Sequence, residues 1–243
     1  MKKFFMGAAA AIAIAAPAHA ATGYVGAGYQ NVNVDPGSAA DDDQGTLEAS
    51  TAFELTKGIG MELDAGMVDG QVTDTLTYGQ AHLYAKNDGY ILGGFAGASD
   101  TTRTNAWNAG FEGQLYLDHA TLSAAATYVN ANQLDVDGWG TNLSGKYFFS
   151  DNFSVGANAG WFALDTGRTN YNPWIGGVGG EYQLASMPIS FLLSYEHYDA
   201  DTLNVTADTV SAGVRYNFGT TLKTRSTSGG DLASITGATA VLF

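Results

Sequence analysis

Three of the chain's four histidines lie beyond residue 20, His82, His119 and His197, and the last sits in EHYDAD, beside Glu196 and Asp199. A histidine next to carboxylates can take a proton from water, the first requirement of hydrolysis. The acids Asp41, Asp42 and Asp43 in another segment could share such a rim. The clusters DDD at 41–43, DVD at 135–137 and DAD at 199–201 also offer the several carboxylate oxygens that calcium or magnesium wants. None has the glycine and spacing of a dedicated calcium loop. Nor does any of the three histidines belong to a recognisable Ser, His and Asn constellation for acyl transfer. A solvated loop histidine and a solvated acidic rim that loosely attracts divalent cations are the plainer readings. No catalytic residue, metal ligand or cofactor is expected.

The elements that would position these residues begin after a leader. Lys2 and Lys3 precede FFMGAAAAIAIAA, which ends in Pro17, Ala18, His19 and Ala20. That is a secretory signal pattern with an A-x-A cleavage site, so residues 1–20 are set aside from the fold. The run falls short of the roughly 20 residues of a membrane helix, and no later stretch approaches that length. The formal net charge is −14, with 24 Asp and Glu against 10 Lys and Arg, and losing Lys2 and Lys3 makes it more negative. Such acidity excludes nucleic acid as a partner, because binding there needs clustered bases to replace counterions. An exported chain without cysteine must be held by burial or by a membrane.

Read with a period of two, the remaining chain matches a strand template twelve times, each match about ten residues long and bounded by turn residues. In the second match Leu47, Ala49, Thr51, Phe53 and Leu55 share one face, with Glu48, Ser50, Ala52 and Glu54 opposite. In the third, Ile59, Met61, Leu63, Ala65 and Met67 oppose Glu62 and Asp64. In the sixth, Trp107, Ala109, Phe111, Leu115 and Leu117 oppose Asn108, Glu112 and Gln114. Two environments fit such faces: a soluble sandwich, whose apolar faces meet, and a membrane barrel, apolar outside and polar within.

Connection lengths favour the barrel. Alternate connections are short, TKG, KNDG, LDHA, SDN and ASMP, while those between include NVNVDPGSAADDDQ, NANQLDVDG, LDTGRTNYNP and HYDADTLNVTAD. A sandwich has no reason to keep that parity. More than half of the acids sit in the long connections, and aromatics gather at strand ends, with all four tryptophans toward the long loops. The patterns predict an all-β fold: a closed antiparallel transmembrane β-barrel of about 12 strands, with short periplasmic turns and longer acidic extracellular loops.

Over residues 21–218 the chain resembles a bacterial outer-membrane β-barrel protein of the small porin-like kind. The resemblance rests on VSAGVRYNF, similar to a last-strand assembly signal and carried by Tyr216 and Phe218, and on KYFFSDNFSVGANAGW, similar to two membrane strands around a tight periplasmic turn. It implies the outer membrane of a Gram-negative bacterium, contact with outer-membrane lipid and lipopolysaccharide, and passive diffusion of small polar solutes. General porins are commonly trimers, so a homo-oligomer is a family expectation. An omptin-type protease also uses rim Asp and His, but the spacing and strand count here depart from that family.

By strand parity the lumen-lining set holds Glu48, Glu54, Glu62, Asp64, His82, Glu112, Lys146, Glu181, Glu196 and Arg215. Barrels of eight strands are filled by side chains and those of sixteen to eighteen leave an aqueous channel, so twelve lies between. Small inward residues leave room for a water path, and the excess of acids would make it prefer cations. The alternative is Glu paired with Lys or Arg across a sealed lumen, giving a structural or surface-interaction barrel. Phe218 is expected to end that barrel. Residues 219–243 would then be a periplasmic tail, mobile at TRSTSGG, with order returning at DLASITGATAVLF, docked under the mouth or entering it as a plug.

Overall fold

A computed structural model describes residues 21–35, 41–71, 74–200, 202, 204–219 and 221–232; residues 1–20, expected to be a signal segment, and the tail beyond Leu232, Phe243 included, lie outside the described residues. The alternating faces become twelve long strands: β1 (Thr22–Asp35), β2 (Asp42–Thr56), β3 (Ile59–Gly70), β4 (Leu76–Lys86), β5 (Tyr90–Asp100), β6 (Asn105–Tyr116), β7 (Ala120–Ala131), β8 (Val136–Ser150), β9 (Phe153–Asp165), β11 (Trp174–Gln183), β12 (Ile189–Ala200) and β13 (Val205–Phe218). A two-residue strand, β10 (Asn170–Tyr171), folds back on the end of β9. Every long strand pairs antiparallel with the next, and β13 returns to β1 from Gly23↔Phe218 to Asp35↔Thr206. The sheet therefore closes. Closure removes the edges whose unpaired backbone groups lipid could not satisfy.

The outer surface is what a soluble protein avoids. Leu92 is 60 % exposed, Phe111 78 % and Leu193 63 %, and together with Leu83 and Leu143 they form part of an apolar belt that suits hydrocarbon. Trp107, Trp139, Trp161 and Trp174 all stand outward at the loop end. Tyr128 packs between the first two, with ring centroids at 5.5 and 5.3 Å. At the opposite end Tyr147, Phe149 and Phe153 form a chain of rings at 4.9 and 5.3 Å. Two aromatic girdles therefore bracket the belt, as at the two interfaces of a bilayer.

Much of the sequence expected to be loop is strand. β1 and β2 stay paired out to Val32↔Asp42, and β7 and β8 to Ala131↔Val136, joined by a short 3-10 turn at Asn132–Leu134. Strands of up to 15 residues exceed the roughly 9–11 that cross a membrane, so these hairpins project beyond it. Asp, Asn, Gln and Gly dominate these stretches, with a few apolar residues such as Val32, Val34 and Val136 between them, which is why they read as loop. The interior is also not polar throughout. Ala106, Val129, Ala131, Val136, Phe162, Leu164, Tyr171 and Ile175 make a buried apolar cluster toward the loop end.

Beyond Phe218 the chain turns at Gly219, whose φ of +94° suits glycine, into a short helix, α1 (Leu222–Thr227). The Thr221 side chain caps it by accepting from the Thr224 N–H. TRSTSGG, expected to be mobile, is thus mostly ordered helix and turn. Leu222, Arg225 and Ser226 are buried.

Candidate pore and its C-terminal segment

Strand parity decides which side chains reach the lumen, and the tail decides what they meet. Arg225 of α1 carries two donors to Glu181, Nη1 to Oε1 at 3.1 Å and Nη2 to Oε2 at 2.8 Å. This is the bidentate fork that fits guanidinium to carboxylate. Its Nε donates to Asp231 at 3.0 Å, and Lys146 from β8 donates to the other oxygen of Asp231 at 2.7 Å. Arg215 on β13 reaches Glu48 on β2 at 2.6 and 3.1 Å and Glu181 at 3.3 Å. Both guanidiniums stack over the ring of Tyr24, at 4.0 and 4.9 Å from its centroid. Three acids and three bases therefore form one network, and two of the six come from the tail.

Neutral contacts add to it. Ser226 donates to Thr121 at 3.2 Å, Gln114 to the Asp231 carbonyl at 2.7 Å, Tyr84 to the Ser228 carbonyl at 3.2 Å, and the Leu232 N–H to Glu62 at 3.1 Å. Leu232 also packs with Tyr84 and Ile91. Gly229, at φ +85°, lets the chain pass under Tyr84: a Cβ there would sit 2.5 Å from the phenol oxygen. Burial by itself would raise the Asp231 carboxyl, but Arg225 and Lys146 hold it below the usual carboxylate range.

Above this segment lies a cavity of about 830 Å³. Its walls carry Gln30, Asn142, Asn158, Ser194, Glu196 and Thr209, and its floor among the described residues is Ser226, Asp231 and Leu232. The tail thus occupies the turn end of the barrel and leaves a chamber toward the loop end, lined by polar side chains and by apolar ones such as Val32, Val34, Ile175 and Val205.

Of the residues singled out from sequence, Glu48, Lys146, Glu181 and Arg215 fall in the ion network, and Glu196 lines the chamber. Glu62, Asp64, His82 and Glu112 gather on another part of the wall, where His82 Nδ1 lies 2.7 Å from Glu112 and Nε2 3.1 Å from Asp64. Glu54 lies elsewhere: it is exposed at the turn end, where it accepts the Gly58 N–H across a register shift. Tyr216 faces outward and Phe218 packs over Gly23. Arg225 and Asp231, central to the network, were not singled out, because no periodicity links a tail to a strand.

The rim residues make local contacts. His197 Nδ1 lies 2.8 Å from Asp208, its cross-strand neighbour; Asp208 also accepts from Tyr195, and the His197 ring packs on Trp174. No serine or threonine hydroxyl is among these partners. Asp42 accepts from Gln44 and the Gln71 N–H, Asp43 from Tyr29 and Asn31, and Asp137 from Tyr128. His119 lies in the turn between β6 and β7 against Tyr147. In DAD, Asp201 lies outside the described residues.

No protein-family model matches the chain, and no curated protein matches it in sequence. Solved structures do. The KdgM porin, in complex with disordered oligogalacturonate, aligns at 13 % identity and TM-score 0.56, covering 80 % of this chain and 99 % of its own. An outer-membrane channel from Pseudomonas putida F1 aligns at 12 % identity and TM-score 0.62, covering 83 % and 97 %. The NanC porin aligns at 8 % identity and TM-score 0.59, covering 78 % and 98 %. The chain shares with them the fold of an outer-membrane β-barrel of the porin-like kind.

Proposed function

We propose that this barrel lies in the outer membrane of a Gram-negative bacterium and passes small polar solutes by diffusion, with its own C-terminal segment as the gate. The observation that carries this reading is the chamber left inside the barrel, with Gln30, Asn142, Asn158 and Glu196 on its walls and Ser226, Asp231 and Leu232 as its floor. A barrel filled only by its own strands would leave no such space. Passage needs residues 222–232 to leave the turn end or to shift within it. Tyr216 and Phe218 serve as the assembly signal, and lipid and lipopolysaccharide surround the belt. An association into homo-oligomers remains part of this reading.

Selectivity follows from charge. In the chamber Glu196 has no paired base among the described residues, and once the tail moves, Glu48 and Glu181 face Arg215 and Lys146, while Asp64 and Glu112 face only His82. The path would then favour cations and neutral polar solutes. It would disfavour acidic sugars such as the oligogalacturonate found with the KdgM porin. No catalytic role is assigned to His197. A second reading, a sealed structural barrel, draws support from the six-membered ion network. Planar-bilayer recordings on the refolded chain without residues 1–20 separate the two. Discrete steps, with a reversal potential in a KCl gradient on the cation side, are expected; their absence across salts and voltages would favour the sealed barrel.

A further inference from the structure

Glu62, Asp64 and His82 converge on the wall made by β3 and β4, with one ligand atom from each lying within 4.8 Å of the others. Register brings them together: Glu62 lies opposite His82, and Asp64 is the next inward position on β3. Glu112 reaches over from β6, past Gly93 of the intervening β5, which has no side chain to block it. It takes His82 Nδ1 at 2.7 Å.

That contact gives the imidazole a direction. If its proton sits on Nδ1 and is donated to Glu112, Nε2 presents a lone pair, and 3.1 Å away stands Asp64 Oδ2. Neither atom has a hydrogen-bond partner, and His82 is 1 % exposed. A buried lone pair facing a carboxylate oxygen is repulsive. A proton on Nε2 would relieve that contact, yet three carboxylates would still surround a single positive charge. A dication would bind Nε2, Asp64 and Glu62 together and cancel more of the charge.

We propose that Glu62, Asp64 and His82 bind a divalent transition cation of the zinc type, with Glu112 orienting His82. One imidazole nitrogen and carboxylate oxygens suit such an ion, whereas calcium and magnesium take oxygen ligands. A carboxylate behind the ligating histidine is the usual arrangement for fixing its tautomer. Zinc–ligand bonds of about 2.0–2.2 Å place tetrahedral ligand atoms roughly 3.3–3.6 Å apart; His82 and Asp64, at 3.1 Å, already lie this close, and the remaining ligand, Glu62, must draw in by about 1 Å. Glu62 is already anchored by Ser50 at 2.8 Å and by the Leu232 N–H. The Asp64 side chain keeps 11 % exposure, which leaves the ion a route from the lumen. The site needs only the barrel wall and is independent of whether the barrel conducts.

The test uses the full chain without residues 1–20, refolded in detergent, stripped with chelator and titrated with ZnCl2 and, separately, CoCl2. One Zn2+ per chain is expected by calorimetry, with a raised thermal midpoint and visible cobalt bands. His82→Asn and Asp64→Asn should each abolish saturable binding, Glu112→Gln should weaken it about 10–100-fold, and Asp41→Asn in the acidic rim should leave it unchanged. If His82→Asn fails to fold, the near-isosteric Asp64→Asn carries the test. Absence of stoichiometric zinc, preference for calcium over zinc, or binding that survives both His82→Asn and Asp64→Asn would overturn the proposal.

Discussion

Two charge clusters occupy the same half of the lumen and are built to opposite rules. In one, Glu48, Glu181 and Asp231 meet Arg215, Arg225 and Lys146, acid for base. In the other, Glu62, Asp64 and Glu112 meet only His82. The balanced cluster is completed by the tail, since without residues 222–232 Glu181 would keep Arg215 and lose its fork. The unbalanced one is built by strands alone, and the tail adds to it a single backbone N–H. Buried charge that is matched within the chain fastens the tail to the barrel; buried charge left unmatched is available to an ion from outside.

The largest effect should come from Arg225→Ala. It leaves buried Glu181 with Arg215 alone and buried Asp231 with Lys146 alone, and should cost the docked tail about 3 kcal/mol. Hydrogen exchange and protease cleavage within 221–232 should rise steeply, while strand protection stays. The comparison is sharpest in a matched pair of neutralisations. Glu181→Gln should destabilise the tail by about 3 kcal/mol, whereas Asp64→Asn in metal-free protein should be neutral or stabilising by about 1 kcal/mol, because the new amide can donate to His82 Nε2. Urea unfolding in lipid vesicles measures both; equal losses would erase the distinction between the clusters.

Smaller effects follow. Gly229→Ala puts a side chain into the left-handed region under Tyr84 and should loosen the tail by about 1–2 kcal/mol, visible as faster exchange at Ser228 and Gly230. The pH response should be smallest near neutrality. The Asp231 carboxyl is held below its ordinary range by Arg225 and Lys146 against the opposing effect of burial. Its contribution is therefore complete above the ordinary aspartate value of about 3.9 and is lost as pH falls through the lowered one. Tail exchange should be flat from neutral pH down to about 4 and rise below it.

The twelve staves were legible because alternation is strict where one face meets lipid: Leu47 and Phe111 could only lie outside, and Glu48 and Glu112 only inside. The same parity failed at Glu54, which keeps the inward phase but lies past the lumen, where a register shift and the turn at Gly58 claim it. It also failed where neither face meets lipid, so NVNVD and the residues Val136 and Asp137 of DVD read as loop although they are paired strand. The gathering of Glu62, Asp64 and His82 was one step beyond reach: parity pointed each inward, but periodicity alone does not give the β3–β4 register that makes them neighbours. Arg225 was invisible for a different reason. Its partner Glu181 lies 44 residues away along the chain, and charge complementarity without periodicity does not announce a contact.

The gate can be tested by locking it. The chain has no cysteine, so the double substitution Thr121→Cys and Ser226→Cys, at a pair of hydroxyls 3.2 Å apart, introduces the one possible disulfide. Single-channel recordings should show no openings when the pair is oxidised and openings like those of the parent chain after reduction. The same conductance in both states, with the disulfide verified, would contradict a tail that gates the pore.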